Sequence, residues 1–344
     1  MDRGSERTNI NKKRVRGNGS LDRTRNQKPV RSVTTGRQVA RTSGSVTSAA
    51  KKKKKPNWLF ICVMVVCLSI LAFSTYMIIH YYVQQAAADK GLDDLLDAIG
   101  QNSASDDSGF IVTPWTIANG NDSDTTTPIK VVGVDEISLD AISYLDINLS
   151  KAVEKTQNAD LMGWFYFAGP DSIYGLPINN ALMKTTDNDY YLNHDIYKNS
   201  NENGAIYMDY RCYSNLLQNK NTVIYGHARS YRAFGGLKYL NNAKRWYMDA
   251  NNHFIKVQTG SVNTVWQVFS WYETTDTADY TKVNFSNDKE FINYANKLQD
   301  RNQISQLKKF DFTADSRIMT LSTCKGSGNG RVAVHAVLVK STKA

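Results

Sequence analysis

An uninterrupted apolar run is the feature of this sequence that most restricts how the chain can fold. Residues 58–79, WLFICVMVVCLSILAFSTYMII, contain no charged side chain over 22 positions. A helix of this length covers about 30 Å of hydrocarbon at about 1.5 Å per residue. The run exceeds the roughly 7–15 apolar residues of a cleaved signal peptide, although AAA at 86–88 resembles a cleavage site. We therefore predict a retained membrane-spanning helix over residues 57–83.

Basic residues are concentrated on the N-terminal side of this run. Residues 1–56 contain 17 lysines and arginines against three acidic residues, a net charge of +14, so the remaining residues carry −4 of the whole-chain +10. Large apolar residues are scarce there, which predicts a disordered tail. Positive charge marks the cytoplasmic side of a membrane helix. We expect a cytoplasmic N-terminus beside a lipid bilayer, an extracellular C-terminal part, and no nucleic acid as partner.

The remainder divides into a linker and one folded domain. Residues 84–136 hold the acidic piece GLDDLLDAI and then a run rich in Ser, Asp, Thr and Asn, which indicates an extracellular stalk. From residue 137 to residue 344 the apolar content is higher. Roughly 200 residues are enough for a core without a metal or disulfides.

Short runs rich in Val, Ile, Tyr and Phe predict strands in residues 137–344. They are LMGWFYF, SIYGLPI, GAIYMDY, NTVIYGH, HFIKVQT, NTVWQVFSWYE, RIMTLSTC and RVAVHAVLVK. SLDAISYLDINLSKAVEK, YRAFGGLKYL and SNDKEFINYANKLQDRNQ have helical character. In the last of these, a Ser286 or Asn287 cap precedes apolar residues at helical spacing: Phe291, Tyr294, Ala295 and Leu298. We predict a mostly β barrel or sandwich with peripheral helices.

Two of the four cysteines lie in the predicted membrane helix, which leaves Cys212 and Cys324 outside. Two cysteines in an exported domain of this size do not make a disulfide framework. Cys324 ends the apolar strand RIMTLST and precedes the Gly-rich turn KGSGNG. A thiol at such a strand end is accessible, so Cys324 is either a nucleophile or a structural residue.

His227 and Arg331 also lie at strand ends, His227 closing NTVIYGH and Arg331 opening the last strand. Alone, a packed histidine and a solvated arginine are the plainer interpretations. Together with Cys324 they supply a thiolate nucleophile, a proton carrier and a guanidinium that stabilises an oxyanion or holds substrate backbone. Acyl transfer needs these parts.

NTVIYGH, TLSTC and RVAVHAVL resemble the signature blocks of the sortase family, and YYLNHDIYKNSNENGAIYMDYR resembles its class B branch. The resemblance covers roughly residues 160–340. It implies an eight-stranded sortase-type β-barrel with N-terminal and peripheral helices, on which three residues converge at one groove. Cys324 would be the nucleophile, His227 the general acid and base, and Arg331 the stabiliser of the oxyanion or substrate.

The resemblance also implies the partners. A surface protein with a C-terminal sorting motif, of Asn-Pro-x-Thr rather than Leu-Pro-x-Thr-Gly type, would be cleaved to a thioacyl enzyme. An amine of a peptidoglycan precursor would then resolve it, or a pilin lysine in a pilin-polymerising enzyme. We expect no cofactor and no metal site, since no cluster has metal-ligand spacing.

Two features of the sequence depart from the class B pattern, the loop before Arg331 and Cys212. Only six residues separate Cys324 from Arg331, a short loop for class B. Cys212 is expected to be a half-buried spectator, with a redox pairing to Cys324 as the alternative. The remaining histidines of the domain are expected to be packed or in loops: His194, His253 and His335.

L,D-transpeptidases carry a histidine beside the cysteine, whereas His227 precedes Cys324 by 97 residues. Papain-like wall hydrolases have cysteine before histidine, the opposite of the order here. The alternative without catalysis is a membrane-tethered wall-binding module in which Cys324 is structural.

Overall fold

The computed structural model describes residues 56–100, 131–169, 176–325 and 328–342. The predicted disordered tail lies outside these ranges except for Pro56. Residues 101–130 of the predicted stalk also lie outside them. Helix α1 runs without a break over Trp58–Ile99. Among the described residues it is the one helix whose length and composition suffice to cross a membrane. Its residues 58–79 are exposed, whereas apolar side chains at its C-terminal end are buried.

Eight strands close into a barrel, which confirms the predicted fold class. They are β1 Leu161–Phe167, β2 Ile178–Met183, β3 Tyr207–Met208, β4 Asn221–Tyr225, β5 Phe254–Thr259, β6 Asn263–Thr275, β7 Ile318–Cys324 and β8 Gly330–Ser341. Their order around the barrel is β1-β2-β3-β4-β7-β8-β6-β5. The pairs β2–β3 and β4–β7 are parallel and the others antiparallel. Because parallel neighbours end at the same edge, β4 and β7 bring their C-terminal residues to one end of the barrel.

The buried side chains form three clusters. The largest fills the barrel and includes Trp246, Trp266 and Trp271. A second joins the C-terminal end of α1 to β1, β2 and β3 through residues such as Leu95 and Trp164. The third packs a helix against the outer face of β6, β7 and β8. Burial of large apolar side chains on both faces of the sheet stabilises the closed barrel.

Among the described residues, three further α-helices lie outside the barrel: α2 Leu149–Thr156, α3 Lys244–Met248 and α4 Asp288–Asp300. The Asn287 side chain caps α4 by accepting from the Glu290 N–H at 2.9 Å. The four apolar residues predicted to recur on this helix are all buried, as the periodicity required. Short 3-10 helices at Val134–Glu136, Leu139–Ala141, Tyr190–Leu192, Leu216–Gln218, Gly235–Tyr239 and Ala250–Asn252 complete the connections.

Several predicted elements differ from those observed. The helix predicted over residues 57–83 continues to Ile99, into the predicted stalk, and YRAFGGLKYL forms only a 3-10 helix over Gly235–Tyr239. Residues 172–175 of the predicted strand SIYGLPI lie outside the described ranges, and β2 begins at Ile178 directly after Pro177, a residue without an N–H to donate. The helix expected over residues 138–155 forms an α-helix only from Leu149. Before that, the Gln258 side chain binds both the N–H and the carbonyl of Ile147, at 2.9 Å each, and holds this residue along β5.

Candidate active site

Two neighbouring strands end side by side at one end of the barrel. β4 and β7 pair Tyr225 with Ser322, and the Gly226 N–H donates to the Ser322 carbonyl at 3.3 Å. His227 lies two residues beyond Tyr225, and Cys324, the last residue of β7, lies two residues beyond Ser322. Because the two strands are parallel and neighbours, the predicted histidine and cysteine follow them at the same edge of the sheet.

Arg331 lies on the other side of Cys324. The antiparallel register of β7 and β8 pairs Cys324 directly with Arg331, one residue after β8 begins. Arg331 on β8, Cys324 at the end of β7 and His227 just past the end of β4 therefore lie at one edge of three neighbouring strands, with the strand of the cysteine in the middle. The fold brings all three predicted site residues together, and we call this arrangement the His227–Cys324–Arg331 row.

A backbone carbonyl holds the His227 ring. Its Nε2 lies 2.7 Å from the Leu192 carbonyl oxygen. A carbonyl only accepts hydrogen bonds, so Nε2 carries the proton and Nδ1 is left to exchange a proton with another group. Burial lowers the pKa of His227, and the positive charge of Arg229 lowers it further against the opposing effect of the Leu192 carbonyl. The neutral ring is thus favoured.

Cys324 is half-buried and lies near the side chains of Tyr207, Tyr280 and Lys238. Lys238 is the cation of this group; burial lowers its pKa, and Cys324 opposes that shift. Its Nζ donates to the Ala228 carbonyl at 3.2 Å, next to His227 in the chain. Sequence reasoning missed Lys238, although a lysine in the otherwise apolar GGLKYL was a usable signal.

Ion pairs surround the Arg331 end of the row. The Arg331 guanidinium lies 3.4 Å from an Asp276 carboxylate oxygen and donates to the carbonyls of Gly328 and Gly330 at 3.2 and 3.0 Å. Lys325, which follows the cysteine, pairs with Glu273 on β6. The two carbonyls bind one terminal nitrogen of the guanidinium. The other terminal nitrogen makes the long, 3.4 Å contact with Asp276.

A buried carboxylate, Asp209, contacts the end of β4 and was not identified from the sequence. Asp209 accepts from the Tyr225 hydroxyl at 2.9 Å and from Arg211 at 2.8 and 2.6 Å. Burial would raise the pKa of Asp209, but these hydrogen bonds hold it below its usual value. The ionised Asp209 therefore fixes Tyr225, two residues before His227, at the end of β4.

Cys212 is fully buried rather than half-buried, and burial raises the pKa of its thiol to about 11. Its Sγ accepts from the Val223 N–H at 3.5 Å, and Val223 pairs with Thr320, four residues before Cys324. Four strand residues span about 13 Å, well beyond the roughly 7 Å limit between disulfide-bonded Cα atoms. In this fold the two thiols cannot pair, and Cys212 is a packed, inert residue.

The remaining histidines of the domain lie away from the row. His335 is fully buried, with its ring nitrogens 3.0 Å from the Thr320 hydroxyl and 2.9 Å from the Tyr272 hydroxyl. His194 stacks on Tyr190, and His253 is buried against Trp246. Within the described ranges, no group of three or more His, Cys, Asp or Glu side chains is arranged to hold a metal ion.

Comparison with known proteins identifies relatives of this barrel. The family described as "Sortase domain" matches residues 183–339, a range that contains His227, Cys324 and Arg331. Sortase B of Listeria monocytogenes is 32% identical over 188 residues, which cover 53% of this chain and 71% of the relative. Sortase B of Staphylococcus aureus is 30% identical over 193 residues, covering 53% and 72%.

Solved structures of sortase B also match. Sortase B from Bacillus anthracis in complex with AAEK1 is 31% identical, with a TM-score of 0.47, over 55% of this chain and 85% of that one. The Clostridium perfringens enzyme is 25% identical, with a TM-score of 0.48, over 56% and 100%. On the identity and coverage shared with the curated relatives, this chain belongs to the sortase family of cysteine transpeptidases and is of the class B type.

Proposed function

We propose that this enzyme cleaves a C-terminal sorting motif of surface proteins and transfers the acyl part to an amine of the cell wall. In this proposal Cys324 is the nucleophile, His227 the general acid and base, and Arg331 the group that stabilises the oxyanion. The His227–Cys324–Arg331 row carries the proposal, because it places a thiol between a proton carrier and a fixed cation.

In the first half of the reaction, His227 takes the thiol proton of Cys324 at Nδ1, and the resulting thiolate attacks the scissile carbonyl carbon of the sorting motif. The carbonyl oxygen gains negative charge, which the Arg331 guanidinium stabilises by hydrogen bonding. The C–N bond then breaks, and His227 supplies the proton that the leaving amine needs. Nδ1 is the nitrogen available for this transfer, because Nε2 is bound to the Leu192 carbonyl. The product is a thioester on Cys324.

In the second half, an incoming amine attacks the thioester carbon. His227, now neutral, takes a proton from this amine, and the Cys324 thiolate leaves as the new amide forms. The lowered pKa of His227 suits this step because it keeps the ring ready to accept a proton near neutral pH.

The proposal extends to substrate, acceptor and topology. The class B relationship favours an Asn-Pro-x-Thr motif and a peptidoglycan-precursor amine, with a pilin lysine as the alternative acceptor. The apolar residues 58–79 would span the bilayer, with the lysines at 51–55 in the cytoplasm and the barrel outside. This orientation places the row on the side where wall precursors and exported proteins meet.

Intact mass spectrometry of the detergent-solubilised full-length chain tests the proposal. With an Asn-Pro-x-Thr peptide the wild-type chain should gain the mass of the acyl fragment, and Cys324→Ala should not. Cys212→Ala is the matched control and should keep the adduct, since its thiol is buried away from the row. Adding triglycine or a lysine-containing pilin peptide should then release the adduct as a new amide.

Two results would contradict the proposal. An adduct that persists in Cys324→Ala would remove this cysteine as nucleophile. A wild-type chain that forms no adduct with either the Asn-Pro-x-Thr or the Leu-Pro-x-Thr-Gly peptide would exclude sorting-motif cleavage. If only the second peptide reacts, cleavage stands and the assigned motif type is wrong.

A further inference from the structure

The C-terminal turns of α1, residues 81–93, contact the loop that follows His227. The Tyr81 hydroxyl donates to the Arg229 carbonyl, and Gln85 Nε2 donates to the Ser230 hydroxyl, at 3.3 Å each. Arg232 makes the strongest contact. Its guanidinium pairs with Asp93, donates to the Asp89 carbonyl at 3.3 Å and lies 3.8 Å from the Asp89 carboxylate. The chain is thus attached to α1 from two to five residues after the histidine.

The same turns of α1 also contact the segment that holds the other side of the His227 ring. Asn201 Nδ2 donates to the Gln84 carbonyl at 3.0 Å, and the Glu202 N–H donates to Gln84 Oε1 at 2.8 Å. Tyr197 adds a hydrogen bond from its hydroxyl to the Gly91 carbonyl at 3.0 Å. Residues 197–202 are therefore fixed to α1.

This second segment reaches the His227 ring at two points. Leu192 supplies the carbonyl that binds Nε2. Gly204 lies so close that a Cβ atom added to it would be 3.0 Å from His227 Cδ2. The Asn201 carbonyl accepts from the Gly204 N–H at 3.0 Å, which links the point held by Gln84 to the point that touches the ring. α1 thus supports both the segment that contacts the His227 ring and the loop that follows His227 in the chain.

We infer that Gln84 and Arg232 are positioning residues for His227, and that the membrane-anchor helix is part of the scaffold of the active site. The inference rests on the proposed role of His227 in the transfer reaction. Neither residue touches the reacting atoms. Gln84 holds the segment that contacts the imidazole, and Arg232 holds the loop that follows His227. Loss of either residue should let the ring move and let water reach it.

Exposure of the ring has a measurable consequence. Burial is the main cause of the lowered pKa of His227, so added water should raise that pKa toward 6.5. The charged group that acts on it is Arg229 on its own loop, which pairs with Glu202 at 2.8 Å. Gln84 is neutral and Arg232→Lys keeps the charge, so a pKa change in Gln84→Ala that Arg232→Lys does not match in full reports on the enclosure of the ring rather than on lost charge.

Transfer from a preformed acyl-enzyme isolates this pKa, because Cys324 is then esterified and does not titrate. We would acylate the detergent-solubilised full-length chain with its sorting peptide, add triglycine at pH 5 to 9, and follow adduct loss by intact mass. Arg232→Gln and Gln84→Ala are expected to move the acidic limb up by about half a pH unit and to slow transfer about three- to tenfold. KM for triglycine should change less than about twofold.

Lys90→Gln is the matched control. Lys90 lies on the same turns of α1 but pairs only with Asp94 on its own helix, at 2.6 Å and exposed. Its profile should match that of the wild type, and Arg232→Lys, which keeps the charge, should recover part of the lost rate. Thermal unfolding of each variant checks folding, and Gln84→Ala serves if Arg232→Gln is unfolded.

The outcomes separate the inference from the function on which it rests. An active wild type whose acidic limb is unchanged in both Gln84→Ala and folded Arg232→Gln contradicts the inference alone. The same shift in Lys90→Gln also contradicts it, since that change leaves both segments attached. A wild-type chain that forms no acyl-enzyme removes both the proposed function and the positioning role.

Discussion

Arg331 can contribute through the shape of its side chain as well as its charge. Two carbonyls, of Gly328 and Gly330, bind one of its terminal nitrogens, while the other has only the 3.4 Å contact with Asp276. A planar guanidinium has five N–H groups in a fixed fork, so it can keep these anchors and still donate to an oxyanion. Lysine has the same charge but no second branch.

Arg331→Lys should therefore reduce acyl-enzyme formation about 10- to 100-fold, and Arg331→Ala about 100- to 1,000-fold, as expected for loss of an oxyanion donor. Rapid-quench mass spectrometry of the acylation step measures both. Arg317→Lys is the control, because Arg317 also binds carbonyl oxygens but lies just before the first residue of β7, at the opposite end of the strand. An Arg331→Lys rate equal to that of the wild type would exclude a role for the fork.

At the scale of elements, β7 sets the geometry of the site because it pairs with β4 on one side and β8 on the other. Its register is fixed by a polar chain through the sheet. The Thr320 hydroxyl donates to Asn221 on β4 at 2.9 Å and contacts His335 on β8 at 3.0 Å. A slip by one residue would leave these buried polar groups unpaired, so the row is held by contacts well inside the barrel.

The segment leading to β3 depends on glycine at position 204. Gly204 has φ +59°, and an added Cβ would lie 2.3 Å from the Tyr191 carbonyl oxygen and 3.0 Å from the Leu192 carbonyl. Gly204→Ala should lower the free energy of unfolding by about 1–3 kcal/mol and slow acyl transfer, since Leu192 holds His227. Urea unfolding and the triglycine assay measure the two effects.

Gly260→Ala provides the comparison for this prediction. Gly260 lies in the β5–β6 turn, its φ is not positive, and an added Cβ would meet nothing within 4 Å. It should change stability by less than about 0.5 kcal/mol. Equal stabilities for the two alanine variants would show that the space at Gly204 is not limiting.

At the scale of the whole molecule, the closed barrel and its helical cover bury neutral histidines. Burial lowers the pKa of His253 to about 4 and that of His335 to about 3. Unfolding exposes both rings, whose pKa then returns to about 6.5. Below pH 6.5 the unfolded chain binds more protons than the folded one, so the stability present above this pH is lost progressively down to these folded-state values.

His253→Phe should remove one part of this pH dependence. For a pKa change from 6.5 to about 4, protonation of unfolded His253 costs on the order of 3 kcal/mol of stability at low pH. The variant should gain about 2–3 kcal/mol relative to the wild type between pH 7.5 and pH 4.5, measured by urea unfolding. A difference between the two chains that stays constant over this range would contradict the buried, neutral state of His253.

The sequence by itself determined the local features of this protein. The apolar run at 58–79, the eight strand-forming runs and the cap and apolar face of α4 follow from composition and periodicity, which act over a few residues. His227, Cys324 and Arg331 were identified from their strand-end positions and their resemblance to the sortase blocks. The predicted bounds of β2 and of the helix before β1 differ from those observed. Pro177 lacks an N–H for the sheet, and the Gln258 side chain binds the backbone of Ile147.

Only the tertiary structure decided which distant residues share a site. The parallel β4–β7 pairing brings His227 beside Cys324 across 97 positions of sequence, and no local pattern encodes that register. Leu192, Asp209 and Lys238 were missed because a backbone carbonyl, a buried carboxylate and a loop lysine gain their roles from neighbours far along the chain. The support of His227 by α1 has the same origin: side chains of one helix meet two loops that only the closed barrel places together.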